Sequence, residues 1–346
     1  MNISEFDYQL PEELIAQHPL PERDASRMLI VDRASQSWED STFRTFPARL
    51  NEGDVLVLNN TRVFAARLQG HRDPTGGAVE LLLLRELRPN IWEALARPAK
   101  RLPTGAAIRF GTSELSAKVV DASANGVRVI EFKSQNDALD HVIDEIGEPP
   151  LPPYIKREAS LAREDSERYQ TIYAHERGAI AAPTAGLHFT RTVLDAVRAR
   201  GVTVAEITLH VGYGTFEPVR VANVSQHQVL PEWFSIEEKA AGTINEARAH
   251  GGRIIAVGTT TTRALESAVD ENGTIAPQSA LANLTIVPGY AFRVVDALLT
   301  NFHLPQSSLL LLVAAFAGRD LVLKAYRQAV LQRYRFYSYG DCMFVI

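Results

Sequence analysis

Four short segments carry residue types that could do chemistry. In Arg253-Ile-Ile-Ala-Val-Gly258-Thr-Thr-Thr-Thr262-Arg263 an apolar run meets glycine, four hydroxyl residues and a guanidinium. A buried strand turning into a helix here would set backbone N–H groups, with the hydroxyls of Thr259 and Thr260, at a helix N-terminus on the carboxyl edge of a sheet. Anionic groups bind at such positions. An ordinary threonine cap would explain one of these residues; four exceed what a cap needs. In Ile207-Thr-Leu-His210-Val-Gly212-Tyr-Gly214-Thr215-Phe216 an apolar run ends in a glycine-rich loop with a histidine. Gly212 and Gly214 let the backbone approach a ligand. A dinucleotide fingerprint would need a third glycine where Glu217 stands, and a tight turn explains the same pair.

The third segment, Ala181-Ala-Pro183-Thr184-Ala-Gly186-Leu-His188-Phe189-Thr190, crowds small residues around one titratable group before a helix that starts near Thr190. The fourth, Asp296-Ala-Leu-Leu-Thr300-Asn301-Phe302-His303-Leu304-Pro305, ends an apolar strand in polar groups. Asn301 and His303 either line a site or cap the helix that follows. A lone histidine is more often satisfied structure than catalyst, but three such loops, each with a compact glycine turn or a histidine, shift that balance. The chain has no H-E-x-x-H, cysteine pair, Walker A sequence or G-x-S-x-G elbow. The loops therefore predict a polar small-molecule ligand and histidine acid–base work, with no metal and no phosphoryl chemistry.

The elements that must hold these loops fall into three zones. Residues 1–61 contain strand-like runs at 28–31 and 54–58, with a short helix after Pro11. Residues 62–153 alternate short β-rich runs (63–68, 78–84, 91–96, 106–110, 115–120 and 127–132) with turn signals such as Gly76-Gly77, then give an amphipathic helix over 137–146. This spacing predicts a small barrel or sandwich. Pro149-Pro150-Leu151-Pro152-Pro153-Tyr154 is a stiff connector. Residues 154–346 alternate strands (202–211, 253–257) with helices (236–249, 262–269), the pattern of an α/β layer with parallel strands. The expected architecture is a larger α/β domain, residues 1–61 plus 154–346, with a smaller β-barrel domain, residues 62–153, inserted in it.

Composition narrows the class. With 346 residues, 46% hydrophobic and 22% charged, the chain is an ordinary globular protein of two-domain size. Cys342 is its one cysteine, so no internal disulfide forms, and it reads as a small buried residue. The longest apolar run, residues 309–317, is too short to span a bilayer and reads as a buried helix started by Pro305, Ser307 and Ser308. The N-terminal residues carry no signal-peptide pattern, and a cytoplasmic location is expected. A net charge of −5 opposes a general nucleic-acid binder but permits local basic patches. Such clusters are Arg97, Lys100 and Arg101; Lys156, Arg157, Arg163 and Arg168; and Arg327, Arg333 and Arg335 among tyrosines. Arginine with aromatics suits phosphate contact and base stacking, although a solvated helix face followed by a buried aromatic strand is the plainer reading of the last.

Together these segments resemble one family, the S-adenosylmethionine:tRNA ribosyltransferase-isomerases of queuosine biosynthesis. Matching stretches run in order from end to end: Leu10-Pro-Glu-Glu-Leu-Ile-Ala16, Arg23-Asp-Ala-Ser-Arg27, Val57-Leu-Asn-Asn-Thr-Arg-Val63, Pro150-Leu-Pro-Pro-Tyr-Ile155, Tyr169-Gln-Thr-Ile-Tyr173, the four loops above, and Arg335-Phe-Tyr-Ser-Tyr-Gly-Asp341. The pairing of Ala-Ala-Pro-Thr-Ala-Gly-Leu-His-Phe with Thr-Asn-Phe-His-Leu-Pro is the most specific part. The family pattern His-x-Met-His-x-Glu departs here at Val229 and Leu230, while His227 and Glu232 remain.

The resemblance implies an α/β domain plus a β-barrel domain, and a reaction on tRNA with a GUN anticodon whose wobble base is 7-aminomethyl-7-deazaguanine. The ribosyl part of S-adenosylmethionine is transferred and isomerised, giving epoxyqueuosine-tRNA, adenine and methionine. S-adenosylmethionine is then a consumed co-substrate, with no separate cofactor, no metal and no membrane; a monomer is expected. The resemblance makes His188, His210 and His303 acid–base candidates. It puts Pro183, Thr184, Gly186, Gly212, Gly214, Thr215, Gly258, Thr259, Thr260, Arg263 and Asn301 at the small-molecule site, with Thr259, Thr260 and Arg263 on the methionyl carboxylate or a tRNA phosphate. It puts Lys100, Arg101, Lys156, Arg157 and Arg335 on tRNA. Two alternatives stay open: a methyltransferase using the same co-substrate, although its usual early glycine-rich turn is missing, and a divergent, non-catalytic tRNA-binding member.

Overall fold

A computed structural model describes residues 1–111, 115–123, 126–134, 138–156, 162–216 and 219–346, of which 162–164, 215 and 216 are described by backbone alone. Arg157 and the expected start of the helix at residue 137 lie outside the described residues.

The strand Val55–Asn59 shows how the larger domain is built. Side chains alternate across a strand; Val55 and Val57 enter one core and Leu56 and Leu58 another. A strand apolar on both faces must sit inside a sheet covered on both sides. It does so in a nine-stranded sheet ordered Gln278–Ala282, Glu232–Ile236, Thr203–Leu209, Val55–Asn59, Ile254–Val257, Ala297–Asn301, Cys342–Val345, Arg27–Asp32 and Ser37–Thr42. The helices Glu238–Ala249, Ser308–Ala317 and Arg319–Leu331 contribute to one core. The helix Arg191–Ala199 and the 3-10 segment Phe43–Arg49 contribute to the other, where Phe43, Phe46, Phe189 and Phe344 meet edge to face or stacked. Each fully buried large apolar side chain contributes about 1.5–3 kcal/mol.

The sheet is mixed rather than parallel throughout. Thr203–Leu209, Val55–Asn59, Ile254–Val257 and Ala297–Asn301 run parallel at its centre. Antiparallel pairs add Glu232–Ile236 and Gln278–Ala282 on one side and Ser37–Thr42 on the other. These additions were hard to expect because the outermost strands are half exposed and polar; an antiparallel edge tolerates water on one face.

The inserted domain is a closed barrel of six antiparallel strands, Arg67–Asp73, Ala78–Arg88, Ile91–Arg97, Ala107–Arg109, Ser116–Ala122 and Val127–Lys133. It has its own core, to which the helix Leu139–Ile146 adds Val142 and Ile143. The run at 63–68 is not one strand: Thr61–Val63 pairs in parallel with Glu176–Ala179, and the barrel begins at Arg67. Arg67 and Glu148 exchange backbone hydrogen bonds of 3.1 and 2.9 Å, which pins the two ends of the insertion together.

Candidate active site

The four central strands are parallel, so their carboxyl ends open on one edge of the sheet, the usual ligand position in such sheets. His210 follows Leu209, Asn60 and Thr61 follow Asn59, Gly258 follows Val257, and Phe302 and His303 follow Asn301. Cys342–Val345 is antiparallel to Ala297–Asn301, which brings Ser338 and Asp341, before it, to the same edge.

A cleft here holds about 510 Å³ of space free of protein atoms, its solvent mouth included. Its wall contains Ala181, Pro183, Thr184, Gly258, Thr259, Thr260, Thr300, Asn301, His303, Leu309, Tyr337 and Ser338. The second, third and fourth sequence segments thus meet here with the first: Val211, Pro183 and Thr184, Asn301 and His303, and Gly258 to Thr260. A neighbouring cleft of about 530 Å³ shares Thr259, Thr260 and Leu309 with it and is mostly aliphatic, with His227, Leu230, Glu232 and Arg263 in its wall. A wider hollow of about 1330 Å³ lies beside the Thr61–Val63 and Glu176–Ala179 pair and the end of the helix Leu139–Ile146, and is lined by Arg62, Asp144, Glu148, Asp165 and Arg177 among others. Its Arg177 is already paired with Asp140 and Asp144.

The threonine run divides into two uses. The helix begins at Thr259, three residues earlier than expected, with Gly258 at φ 94° as its N-cap and no side-chain cap. Thr261 and Thr262 are fully buried and return their hydroxyls to the carbonyls of Val257 and Gly258, at 2.7 and 3.1 Å. Thr259 and Thr260 face both clefts at the helix N-terminus, where the first-turn amides favour an anion.

Arg263 is not available to a ligand carboxylate. Its Nη1 donates to Glu232 Oε2 at 2.6 Å, its Nε to the Leu284 carbonyl at 2.9 Å, and its Nη2 to the carbonyls of Leu230 and Ala282. A guanidinium with five N–H groups is nearly saturated by these contacts. Gly212 joins the same network through its amide, Gly214 lies under Leu230, and Thr215 is in the 3-10 turn Tyr213–Phe216.

The three candidate histidines have different surroundings. His188 is buried, and its ring is locked at both nitrogens. Asn301 Nδ2 faces His188 Nε2 at 3.2 Å and the Asp341 carbonyl at 3.4 Å, while Asn301 Oδ1 accepts from Thr184 Oγ1 at 2.9 Å. A carbonyl only accepts, so the amide nitrogen donates and His188 Nε2 is an acceptor. The ring proton therefore sits on Nδ1 and is donated to Ser26 Oγ at 2.6 Å, which in turn donates to the Arg23 carbonyl. Burial, then the charges of Arg335 and Arg23, push its pKa down to about 3. His188 is neutral and sets the orientation of Asn301.

His303 lines the cleft itself. Its Nε2 is 2.9 Å from Thr300 Oγ1, and its backbone is held by the hydroxyls of Tyr326 and Tyr8. Burial pushes its pKa down to about 3 as well. His210 is outside the cleft wall: half-buried, it stacks on Trp233 at 4.9 Å between ring centroids and bonds Thr61 Oγ1 through Nδ1 at 2.8 Å. Its pKa is lowered by burial. Gly178 is required beneath it, because a Cβ there would lie 2.5 Å from His210 Nε2. Likewise a Cβ on Gly186 would lie 2.1 Å from the Tyr173 hydroxyl.

The basic candidates are spread out. Lys100 and Arg101 are exposed on the barrel turn Ala99–Arg101. Lys156 is exposed and paired with Glu12 at 3.1 Å. Arg335 is half-buried, with its Nη2 on the His18 carbonyl. The aromatic residues near it are core and form no strand: Tyr326, in the helix Arg319–Leu331, and Tyr334 and Phe336, in the segment after it, are fully buried. Ser26, Thr300 and Ser338 were not among the expected site residues. Their only sequence signal is that each falls in a stretch matching the family pattern.

Among the described residues no three His, Cys, Asp or Glu side chains could hold a metal ion, and no helix is long and apolar enough to cross a membrane. The chain is 50% identical to an S-adenosylmethionine:tRNA ribosyltransferase-isomerase of Pelotomaculum thermopropionicum and 49% to one of Desulforamulus reducens, over 100% of each chain. It is also similar to the crystal structure of an S-adenosylmethionine tRNA ribosyltransferase from Thermotoga maritima, with 36% identity and a TM-score of 0.56 over 99% of this chain and 100% of that one. Residues 3–345 match the model of the family described as queuosine biosynthesis protein. With its barrel inserted in an α/β domain and its four loops on one sheet edge, the chain belongs to the queuosine biosynthesis protein family.

Proposed function

We propose that the chain transfers the ribosyl group of S-adenosylmethionine to 7-aminomethyl-7-deazaguanine at the wobble position of GUN-anticodon tRNA and isomerises it, giving epoxyqueuosine-tRNA with release of adenine and methionine. S-adenosylmethionine is consumed as a co-substrate and no other cofactor takes part; the chain acts as a cytoplasmic monomer. The full-length relatives bearing that enzyme's name support the reaction. The observation that carries the site is one cleft lined by Thr184, Thr259, Thr260, Asn301 and His303 from three separate loops.

In this reading the methionyl carboxylate lies at the amides and hydroxyls of Thr259 and Thr260. The sulfonium acidifies the C5′–H, so a weak base suffices. His303, held neutral by burial, accepts that proton on the nitrogen not bonded to Thr300. Its low proton affinity then favours handing the proton on to adenine, which leaves poorly unless protonated. His188 is a positioning residue: it fixes Asn301, and through it Thr184. The buried walls keep water from the reactive intermediates. Lys100, Arg101, Lys156 and Arg335 contact the RNA.

The test is to incubate the protein with S-adenosylmethionine and an anticodon stem-loop carrying 7-aminomethyl-7-deazaguanine. Free adenine together with the ribosyl-derived mass on the RNA is expected. S-adenosylhomocysteine instead would establish methyl transfer. Binding of both substrates with neither product would establish a non-catalytic member.

A further inference from the structure

The guanidinium groups of Arg23, Arg168 and Arg335 lie around His188 beside the cleft, none of them in an ion pair with another described residue. Arg23 and Arg168 line a pocket of about 300 Å³ together with Ser26, His188, Ser338 and Gly340, and Ser338 is also part of the cleft that holds His303. Arg23 donates to the carbonyls of Leu187 and Glu167, each at 3.2 Å. Arg168 donates to those of Pro21 and Leu20, at 3.3 and 2.5 Å, and Arg335 to that of His18. Backbone carbonyls position these side chains but do not neutralise them. Asp341, whose charge acts on Arg335, turns its oxygens to the amides of Arg27 and Arg335, at 2.9 and 2.8 Å.

Two donors remain: Arg168 Nε and Arg335 Nη1 are buried without an acceptor among the described residues. A buried donor left unmade costs about 1–3 kcal/mol. The charges also act on one another. Burial, then the charge of Arg168, lowers the proton affinity of Arg23, and both Arg335 and Arg23 disfavour a proton on His188. An oxyanion between the guanidiniums removes both costs at once, because arginine forks match phosphate and carboxylate oxygens.

We infer that Arg23, Arg168 and Arg335 form a binding site for a backbone phosphodiester of the RNA, at a linkage close to the modified base. The inference rests on the RNA substrate proposed above. A phosphodiester fits better than the methionyl carboxylate for two reasons. All three arginines are half-buried, and Arg23 and Arg168 line an open pocket that a polymer backbone can run past. The helix N-terminus at Thr259 already offers a carboxylate position inside the cleft. On a chain of net charge −5, RNA affinity needs such a local concentration of positive charge.

The experiment measures binding of the unmodified anticodon stem-loop to the full chain across a salt series, for wild type, Arg168→Gln and Arg23→Gln. Each variant is expected to weaken RNA binding about tenfold, the worth of a charged hydrogen bond, and to lower the slope of log affinity against log salt by about 0.7. S-adenosylmethionine affinity stays the same. Because a variant could disturb the loops it ties, wild type is also tested against stem-loops with one neutral methylphosphonate linkage each. One linkage in the loop should weaken binding to wild type and have a clearly smaller effect on Arg168→Gln, which has lost one of the three cations. An unchanged salt slope with no sensitive linkage overturns the site. A fall in S-adenosylmethionine affinity with RNA binding unchanged also overturns it, and gives the arginines to the carboxylate. Wild type that binds no RNA at all removes the substrate reading itself, a result separate from either of these.

Discussion

Glu232 joins two of the site loops: its Oε2 accepts from Arg263 Nη1 at 2.6 Å, and its Oε1 accepts from the Gly212 amide at 2.7 Å. Both side chains are buried, about 5% and 11% exposed. The carboxylate therefore ties the helix after Gly258 to the loop after His210.

Removing one partner of a buried ion pair leaves an uncompensated charge, at a cost of about 3–5 kcal/mol. Glu232→Ala should lose that much stability in urea unfolding. Glu232→Gln, which keeps an acceptor for Gly212 and a polar partner for Arg263, should lose clearly less. Equal losses would mean that the charge carries the whole effect and that the hydrogen bonds a glutamine keeps contribute nothing.

His303 and His188 should separate kinetically. His303→Ala is expected to lower kcat by roughly 10²–10⁴, the usual worth of a general acid–base group, with S-adenosylmethionine binding little changed. His188→Ala should lower turnover by a smaller factor, and His188→Gln should restore much of it, because its amide oxygen can accept from Asn301. Failure of that rescue would show that His188 does more than orient Asn301.

Both histidines make stability depend on pH. Each has a folded pKa pushed down to about 3 from an ordinary value of 6.5. Below pH 6.5 the unfolded chain takes up protons that the folded chain refuses, so stability falls as pH falls from 6.5 towards 3. Denaturant unfolding between pH 6.5 and 5, above most of the carboxylate range, should reveal this loss. His188→Gln should make the dependence shallower. A pH-independent stability in that window would mean that both rings take up protons in the fold as readily as in the unfolded chain.

Gly186 has no room for a side chain. An added Cβ would lie 2.1 Å from the Tyr173 hydroxyl and 2.8 Å from Thr171 Cγ2. Gly186→Ala is expected to cost about 1–3 kcal/mol. Tyr173→Phe should recover part of this cost, and a double-mutant cycle on thermal unfolding measures that coupling. Additive effects would place the clash elsewhere.

The strand-to-loop junctions could be read from sequence because each is contiguous: an apolar run followed at once by small and polar residues, as at Val257-Gly258-Thr259. The two-domain plan was equally legible, since the barrel strands alternate over one continuous stretch. What local pattern could not supply is contact at a distance. Ser26 reaches His188 across 162 residues, and nothing near Ser26 hints at a histidine. The threonine run exceeds what a cap needs, and the structure accounts for the excess: the helix takes Thr261 and Thr262 for its own carbonyls. Arg263 looked like an anion clamp because its internal partners, Glu232 and the carbonyls of 230, 282 and 284, lie 19 to 33 residues away. Leu230, a departure from the family pattern, is about half exposed and roofs Gly214.

The strand Cys342–Val345 is interior to the sheet, between Ala297–Asn301 and the N-terminal strand Arg27–Asp32. During synthesis the first hairpin, Arg27 to Thr42, therefore has no seat in the sheet until a strand far along the chain, Cys342–Val345, has been made. Closing this part of the sheet thus waits on a segment remote in sequence from the hairpin it seats. Clipping residues 342–346 would not trim a border; it would cut the sheet in two and part Ser26 from Asn301.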